Sequence, residues 1–365
     1  MHKYNWGILG TGVIANQFAQ DLKLLPAATM HSVHSRTYEK AQQFADEFGF
    51  TKNYYELDSF LEDPQLDIVY IATPNHLHYL HAMACLKAGK HILVEKPLAL
   101  SVDQAKEMAN LSKKKGLFCM EAMWSRFIPA YQKVKTLLEK DEIGAIKMIT
   151  AEFGQFIKYH PDQFRFSEDS GGGCLMDLGI YPISLILMLM GKPDKIHGVC
   201  YKDNSKIDVH NRIIFKYKNG SIADIGSSFD CRLSNKIWIG GQNGAIDVSA
   251  PIYRPDSYNI YRYSDAQNIS QNASVIRNKI HNSPLLSKII KKINTGISLI
   301  FNRAGSKKQV AFQGNGYYHE AAEVMNCIKN GKMQSMTMSL NDSIAVLEIT
   351  EMLRKKWNIH IPKID

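Results

Sequence analysis

The chain has 365 residues, 45% hydrophobic and 22% charged, with a formal net charge of +9. That length exceeds what one hydrophobic core usually organises, so it predicts two domains, and the composition excludes a disordered or fibrous chain. The longest apolar run, Ile183 to Met190, is far short of the roughly 20 residues of a membrane span, no signal-peptide pattern precedes the first strand, and six scattered cysteines form no C-x-x-C pair, which together predict a cytoplasmic protein.

From Lys3 to about Met120 short apolar runs alternate with helical patterns. "YNWGIL", "TMHSVHS", "LDIVYIAT", "HILVEK" and "GLFCM" read as strands, with helices expected over about 13–24, 38–48, 76–88 and 102–115. Strands apolar at nearly every position, alternating with helices, predict an α/β domain: a doubly wound parallel sheet over residues 1–122. Beyond it the texture changes. Residues 144–156 and 208–230 alternate as half-buried strands do, and Asn219-Gly220 in the second predicts a hairpin with a two-residue turn. Helical runs at 175–190 and 340–357 would pack on one face, giving an α+β domain with a mostly antiparallel open sheet over 123–365.

The positive charge is concentrated. Between Ala266 and His319 there is no acid, while Arg277, Lys279, Lys288, Lys291, Lys292, Arg303, Lys307 and Lys308 account for all but one unit of the excess. A nearly neutral remainder and a segment poor in stacking aromatics argue against a nucleic-acid partner. Within 285–301, Leu286, Ile289, Ile290, Ile293, Ile297 and Ile300 share one helical face and Lys288, Lys291 and Lys292 another. That pattern suits peripheral contact with an anionic membrane, a lid, or a helix at a subunit interface.

Four motifs carry the chemistry. "GTGVIA" places Gly10, Thr11, Gly12, Val13 and Ile14 at a strand-to-helix turn, where free amides and the helix dipole suit a pyrophosphate. At the end of the second strand stand Ser35 and Arg36 instead of an acid; a hydroxyl and a guanidinium suit the 2′-phosphate of NADP(H) over NAD(H). "ATPNHLH" ends the next strand, so Thr73, Asn75 and His78 are expected along the cofactor cleft, with no metal shell among the nearby histidines. "EKP" ends the strand after that. Glu95 and Lys96 would then face a nicotinamide, with the pKa of Lys96 lowered and its amine a proton carrier. Downstream, "GGGCLMDLGIY" opens a helix with Asp177 and Tyr181 four residues apart, which suits either a substrate-orienting carboxylate with a proton-exchanging phenol or a dipole-stabilised aspartate with a core tyrosine; the dinucleotide domain upstream favours the first. The rival from another class is a non-catalytic NADP-binding sensor or scaffold, which would need neither Lys96 nor Tyr181.

Taken together, "GTGVIA", "TPNHLH", "EKP" and "DLGIY" resemble the Gfo/Idh/MocA family of NAD(P)-dependent oxidoreductases over nearly the whole chain. The resemblance implies a Rossmann domain followed by a sheet domain that often forms a homo-oligomer contact. It also implies Lys96 as the catalytic lysine, Asn75 and His78 as cleft residues, and Asp177 as the substrate-orienting acid. Tyr181, where many members have histidine, together with "MEAMWSRF", is more similar to the branch containing glucose-fructose oxidoreductase and dimeric dihydrodiol dehydrogenase. That branch implies NADP, a sugar-like or diol substrate, and Trp124 and Phe153 as aromatic walls. The basic segment from about 265 to 308 looks like an insertion relative to the family.

Overall fold

The structure, a computed structural model, describes residues 2–160, 163–203, 206–263 and 305–362. Six strands, β1 (Tyr4–Leu9), β2 (Ala28–His34), β3 (Lys52–Tyr54), β4 (Ile68–Ile71), β5 (His91–Glu95) and β6 (Cys119–Ala122), form a parallel sheet in the order β3-β2-β1-β4-β5-β6. The order reverses between β1 and β4, which opens a crevice at the carboxyl ends of those strands. β4 shows why these strands are apolar throughout: Ile68 and Tyr70 join one buried cluster, Val69 and Ile71 the other, so both faces are covered. The covering helices include α1 (Val13–Leu22), α2 (Tyr38–Phe48), α3 (Leu57–Leu61), α4 (His78–Lys87) and α5 (Val102–Lys115). Two of them have matched stops: Thr37 and Ser101 cap α2 and α5, and left-handed Gly49 and Gly116 end them.

After α6 (Pro129–Glu139) comes the second sheet, built from β7 (Ile146–Gly154), β8 (Lys195–Lys202), β9 (Asp208–Lys216), β10 (Ile222–Ser228), β11 (Ile237–Gly241), β12 (Gly244–Val248), β13 (Ser257–Arg262) and β14 (Gly305–Gln309). Its order is β14-β13-β12-β11-β7-β10-β9-β8, antiparallel except where β7 meets β10. α7 (Ile180–Met190) covers one face, with Ile180 through Leu187 all buried. The opposite face leaves Met148, Val199, Tyr201 and Trp238 exposed. α8 (Tyr318–Lys329) packs on α1, and α9 (Leu340–Lys356) returns to pack on both α5 and α7. Val102 N donates to Glu351 at 2.9 Å, tying α9 to the start of α5.

The structure departs from the sequence-based expectations in several places. The β9–β10 hairpin has a three-residue loop, not two: Tyr217 N donates to Ser221 O, Gly220 N donates to Tyr217 O, and only Gly220 is left-handed. That is a turn followed by a glycine bulge, for which Asn-Gly is equally suited. β3, α3, α6 and α8 were not expected, nor were the individual strands β8 and β11 to β14 of the second sheet; β3 and α3 span three and five residues, too few to show a period. The helix expected at 285–301, and all of the basic segment 265–308 before β14, lie outside the described residues. Among the described residues no helix is long and apolar enough to cross a membrane.

Candidate active site

The crevice begins at the β1–α1 turn. Gly10 has φ +106°, and a Cβ there would lie 2.6 Å from Ala72 O, so both the turn and the approach of β4 require glycine. Gly12 differs: its φ is −80°, and among the described residues beyond its own neighbourhood in the chain no atom lies within 4 Å of where a Cβ would stand. The fold itself does not demand glycine there; it keeps room clear in front of α1. No side chain caps α1, its first turn has no acid, and Val13 is 73% exposed. An anionic pyrophosphate fits such a helix start. Thr11 Oγ1 lies 3.0 Å from Ser35 Oγ, and Ser35 N donates to Tyr54 O, so Ser35 is buried while Arg36 beside it is exposed.

Across the crevice, Asn75 is buried at the start of the 3₁₀ turn Asn75–Leu77. Thr73 Oγ1 lies 3.0 Å from His81 Nδ1. His78, expected to line the cleft, is instead fully buried, with Nδ1 2.7 Å from Pro97 O and Nε2 2.8 Å from Thr73 O. It braces the β4 loop against the β5 loop. Burial lowers its pKa to about 4, although the two carbonyls pull the other way. Glu95 also turns inward from where it was expected: Tyr70 OH donates to its Oε1, and Lys96 N donates to its Oε2 at 3.1 Å. Consecutive residues at a strand end point to opposite sides, so only one of the pair faces the crevice. Burial raises the Glu95 pKa to about 7 despite Tyr70 and Lys96.

Lys96 is the residue that faces out. Its Nζ donates to Asp177 Oδ1 at 2.8 Å and to Asp177 O at 2.9 Å, and lies 5.2 Å from the Tyr181 ring centroid. The expected drop in its pKa is corrected. Burial works to lower it, but Asp177, Tyr181 and Glu95 together outweigh burial, and the amine is held above its ordinary value. Asp177 is held below the ordinary carboxylate range: burial opposes this, and Lys96 and Arg165 overcome it. Asp177 sits in a wide π-helical turn, Leu175–Gly179, that runs directly into α7, so its side chain and that of Tyr181 both reach Lys96. Burial pushes the Tyr181 phenol up to about 12, with Lys96 acting against that rise. Trp124 Nε1 donates to the phenol oxygen at 3.2 Å, and the phenol's own proton has no acceptor among the described residues.

Aromatic rings surround the phenol. Phe153 meets Tyr181 edge-on at 5.6 Å and lies tilted against Tyr253 at 5.4 Å, and Tyr317 stacks on Trp124 at 4.5 Å. Trp124 and Phe153, which the resemblance implies as aromatic walls, lie beside the phenol; Tyr253, Tyr317 and Arg165 were not anticipated. Tyr317 did leave a signal, because "GNGYYHEAAEVM" is a third glycine loop opening a helix. Its position is set from the nucleotide side: the Asp21 carboxylate on α1 accepts from the backbone of Asn315, Gly316 and Tyr318 at 2.7, 2.8 and 3.1 Å.

Residues 4–123 match the family model described as an oxidoreductase family with an NAD-binding Rossmann fold, and residues 131–247 match the GFO/IDH/MocA C-terminal domain. The chain is 30% identical over 362 residues to trans-1,2-dihydrobenzene-1,2-diol dehydrogenase of Xenopus laevis, covering 98% of this chain and 99% of that one. Among solved structures, levoglucosan dehydrogenase in complex with NADH and levoglucosan shares the fold with a TM-score of 0.81, at 20% identity over 99% of this chain and 100% of that one. A 3-ketoreductase from Actinomadura kijaniata in complex with NADP does so at 0.77, with 20% identity over 97% and 98%.

Proposed function

The chain belongs to the Gfo/Idh/MocA family of NAD(P)-dependent oxidoreductases acting on CH–OH groups, and on that footing we propose that it moves a hydride between NADP(H) and a secondary carbinol or carbonyl carbon of a sugar-like or diol substrate. The observation that carries this is the meeting of Lys96, Asp177 and Tyr181 in one aromatic-walled crevice at the carboxyl edge of the first sheet. The nicotinamide, when bound, accepts or supplies the hydride.

The chain's own residues do the rest. The amides of Gly12, Val13 and Ile14 hold the pyrophosphate, Thr73 and Asn75 border the cofactor, and Ser35 with Arg36 receives the 2′-phosphate. Asp177 orients substrate hydroxyls, and Trp124 and Phe153 wall the ring or arene. Tyr181 exchanges the proton with the reacting oxygen: its oxygen already accepts from Trp124, which leaves its O–H free to donate. Lys96 stabilises the phenolate when that proton leaves. Both groups hold their protons at neutral pH, so carbonyl reduction should proceed at neutral pH and carbinol oxidation should accelerate as pH rises.

A homo-oligomer joined through the open face of the second sheet accounts for the apolar side chains exposed there, Val199 at 69% and Tyr201 at 56%. Sedimentation of the wild type against Val199→Asp tests this; a wild-type monomer would refute it. The cofactor reading is tested by comparing Kd for NADP(H) and NAD(H) in wild type and Arg36→Ala. The expected result is a wild-type preference for NADP(H) that the variant loses; a wild-type preference for NAD(H) overturns it. A screen of sugars and diols for nicotinamide absorbance change tests the substrate class, and silence across both groups would reject it.

A further inference from the structure

Arg165 is not needed for any step above, yet the fold goes to some length to place it. Gly172 comes so near its backbone that a Cβ would lie 2.5 Å from Arg165 O, and Gly173 N donates to that oxygen at 2.9 Å. The same glycine run leads into the turn that carries Asp177, so Arg165 and Asp177 are held as one unit. The Phe164 ring, 5.5 Å from the guanidinium carbon, restrains the side chain further.

We propose that Arg165 is a specificity-determining residue and that the preferred substrate carries an oxyanion, a carboxylate or a phosphate, close to its reacting carbinol. Arg165 Nε is buried and has no hydrogen-bond partner, and its side chain as a whole, beside Asp177, is 31% exposed. The nearest carboxylate oxygen, Asp177 Oδ2, is 3.8 Å away, too far for a hydrogen bond, and Oδ1 is already taken by Lys96. Lys96 and Arg165 thus share one carboxylate, and Glu95 is turned inward onto Tyr70. Two cationic side chains therefore face the single carboxylate of Asp177. A half-buried guanidinium with an unpaired Nε–H matches the paired oxygens of a carboxylate or phosphate better than the single oxygens of a neutral sugar.

This rests on the oxidoreductase reading of the same site, so the test keeps the two apart. The full-length enzyme with NADP is offered D-glucose, D-glucuronate and D-glucose 6-phosphate. NADPH formation and tryptophan fluorescence, to which Trp124 in the site contributes, are followed separately. One anion should exceed glucose in kcat/KM at least tenfold, and which one it is separates carboxylate from phosphate. Arg165→Gln should bring the ratio near one through KM, and Arg165→Lys should recover part of it. The proposal falls if glucose matches both anions, if Arg165→Gln leaves the ratio unchanged, or if neither anion quenches the wild type. Quenching by an anion that Arg165→Gln abolishes, without turnover of any of the three, would retain the anion site and count against the sugar-substrate reading.

Discussion

At the β1–α1 turn the protein presents backbone amides and clear space, whereas at the end of β5 it presents charged side chains that are already engaged. Gly12 has no described residue from elsewhere in the chain within 4 Å of a would-be Cβ, while Lys96 is bonded to an acid 81 positions away. The difference follows from what each end must do. Holding an anion needs donors that one local turn can supply, and water screens whatever charge is exposed there. Moving a proton needs ionisable groups whose affinities are shifted, which only burial and a partner from another element can achieve.

The largest expected effects lie at the engaged end. Lys96→Met should lower kcat by about 10²–10⁴-fold, the span general acid–base catalysis supplies, and should cost roughly 3 kcal/mol of stability because Asp177 loses its closest partner in a buried setting. Tyr181→Phe is the cleaner probe. It removes one hydrogen bond, about 1 kcal/mol, yet should cost at least about 10²-fold in kcat with NADP(H) affinity retained. Steady-state kinetics on any substrate the enzyme turns over checks both, and a Tyr181→Phe enzyme running at the wild-type rate would remove the proton assignment.

Glu95 sharpens the comparison through pH. Its folded pKa, about 7, lies above its solution value of 4.5. The stability it gains by keeping its proton is therefore complete below about 4.5 and is lost as pH rises to about 7. Glu95→Gln cannot ionise, so its stability relative to wild type should climb by roughly 3 kcal/mol between pH 4.5 and 8. Urea unfolding at both pH values reads this; a constant difference would mean that Glu95 does not titrate in that range.

The smallest effects separate two glycines of one motif. Gly12→Val should weaken NADP(H) binding by about tenfold, or 1.4 kcal/mol, with no change in Tm, because its side chain enters only the ligand's space. Gly10→Ala should instead lower stability by about 1–3 kcal/mol, since its φ and the contact with Ala72 O both forbid a side chain. Thermal melts with and without NADP(H) distinguish the two.

Much of this molecule is written locally. α2 and α5 run as their caps and glycine stops indicate, and "EKP" does end a strand at the crevice. Periodicity, capping and glycine turns are properties of a few neighbouring residues, so the sequence alone determined the doubly wound domain, the glycine turn and the candidacy of Lys96, Asp177 and Tyr181. Tertiary structure decided the rest. It turned Glu95 and His78 inward, raised the proton affinity of Lys96 where a fall was expected, and brought Tyr253, Tyr317 and Arg165 to the site. Those outcomes depend on burial and on partners far away in the chain, and neither quantity exists until the two sheets have packed.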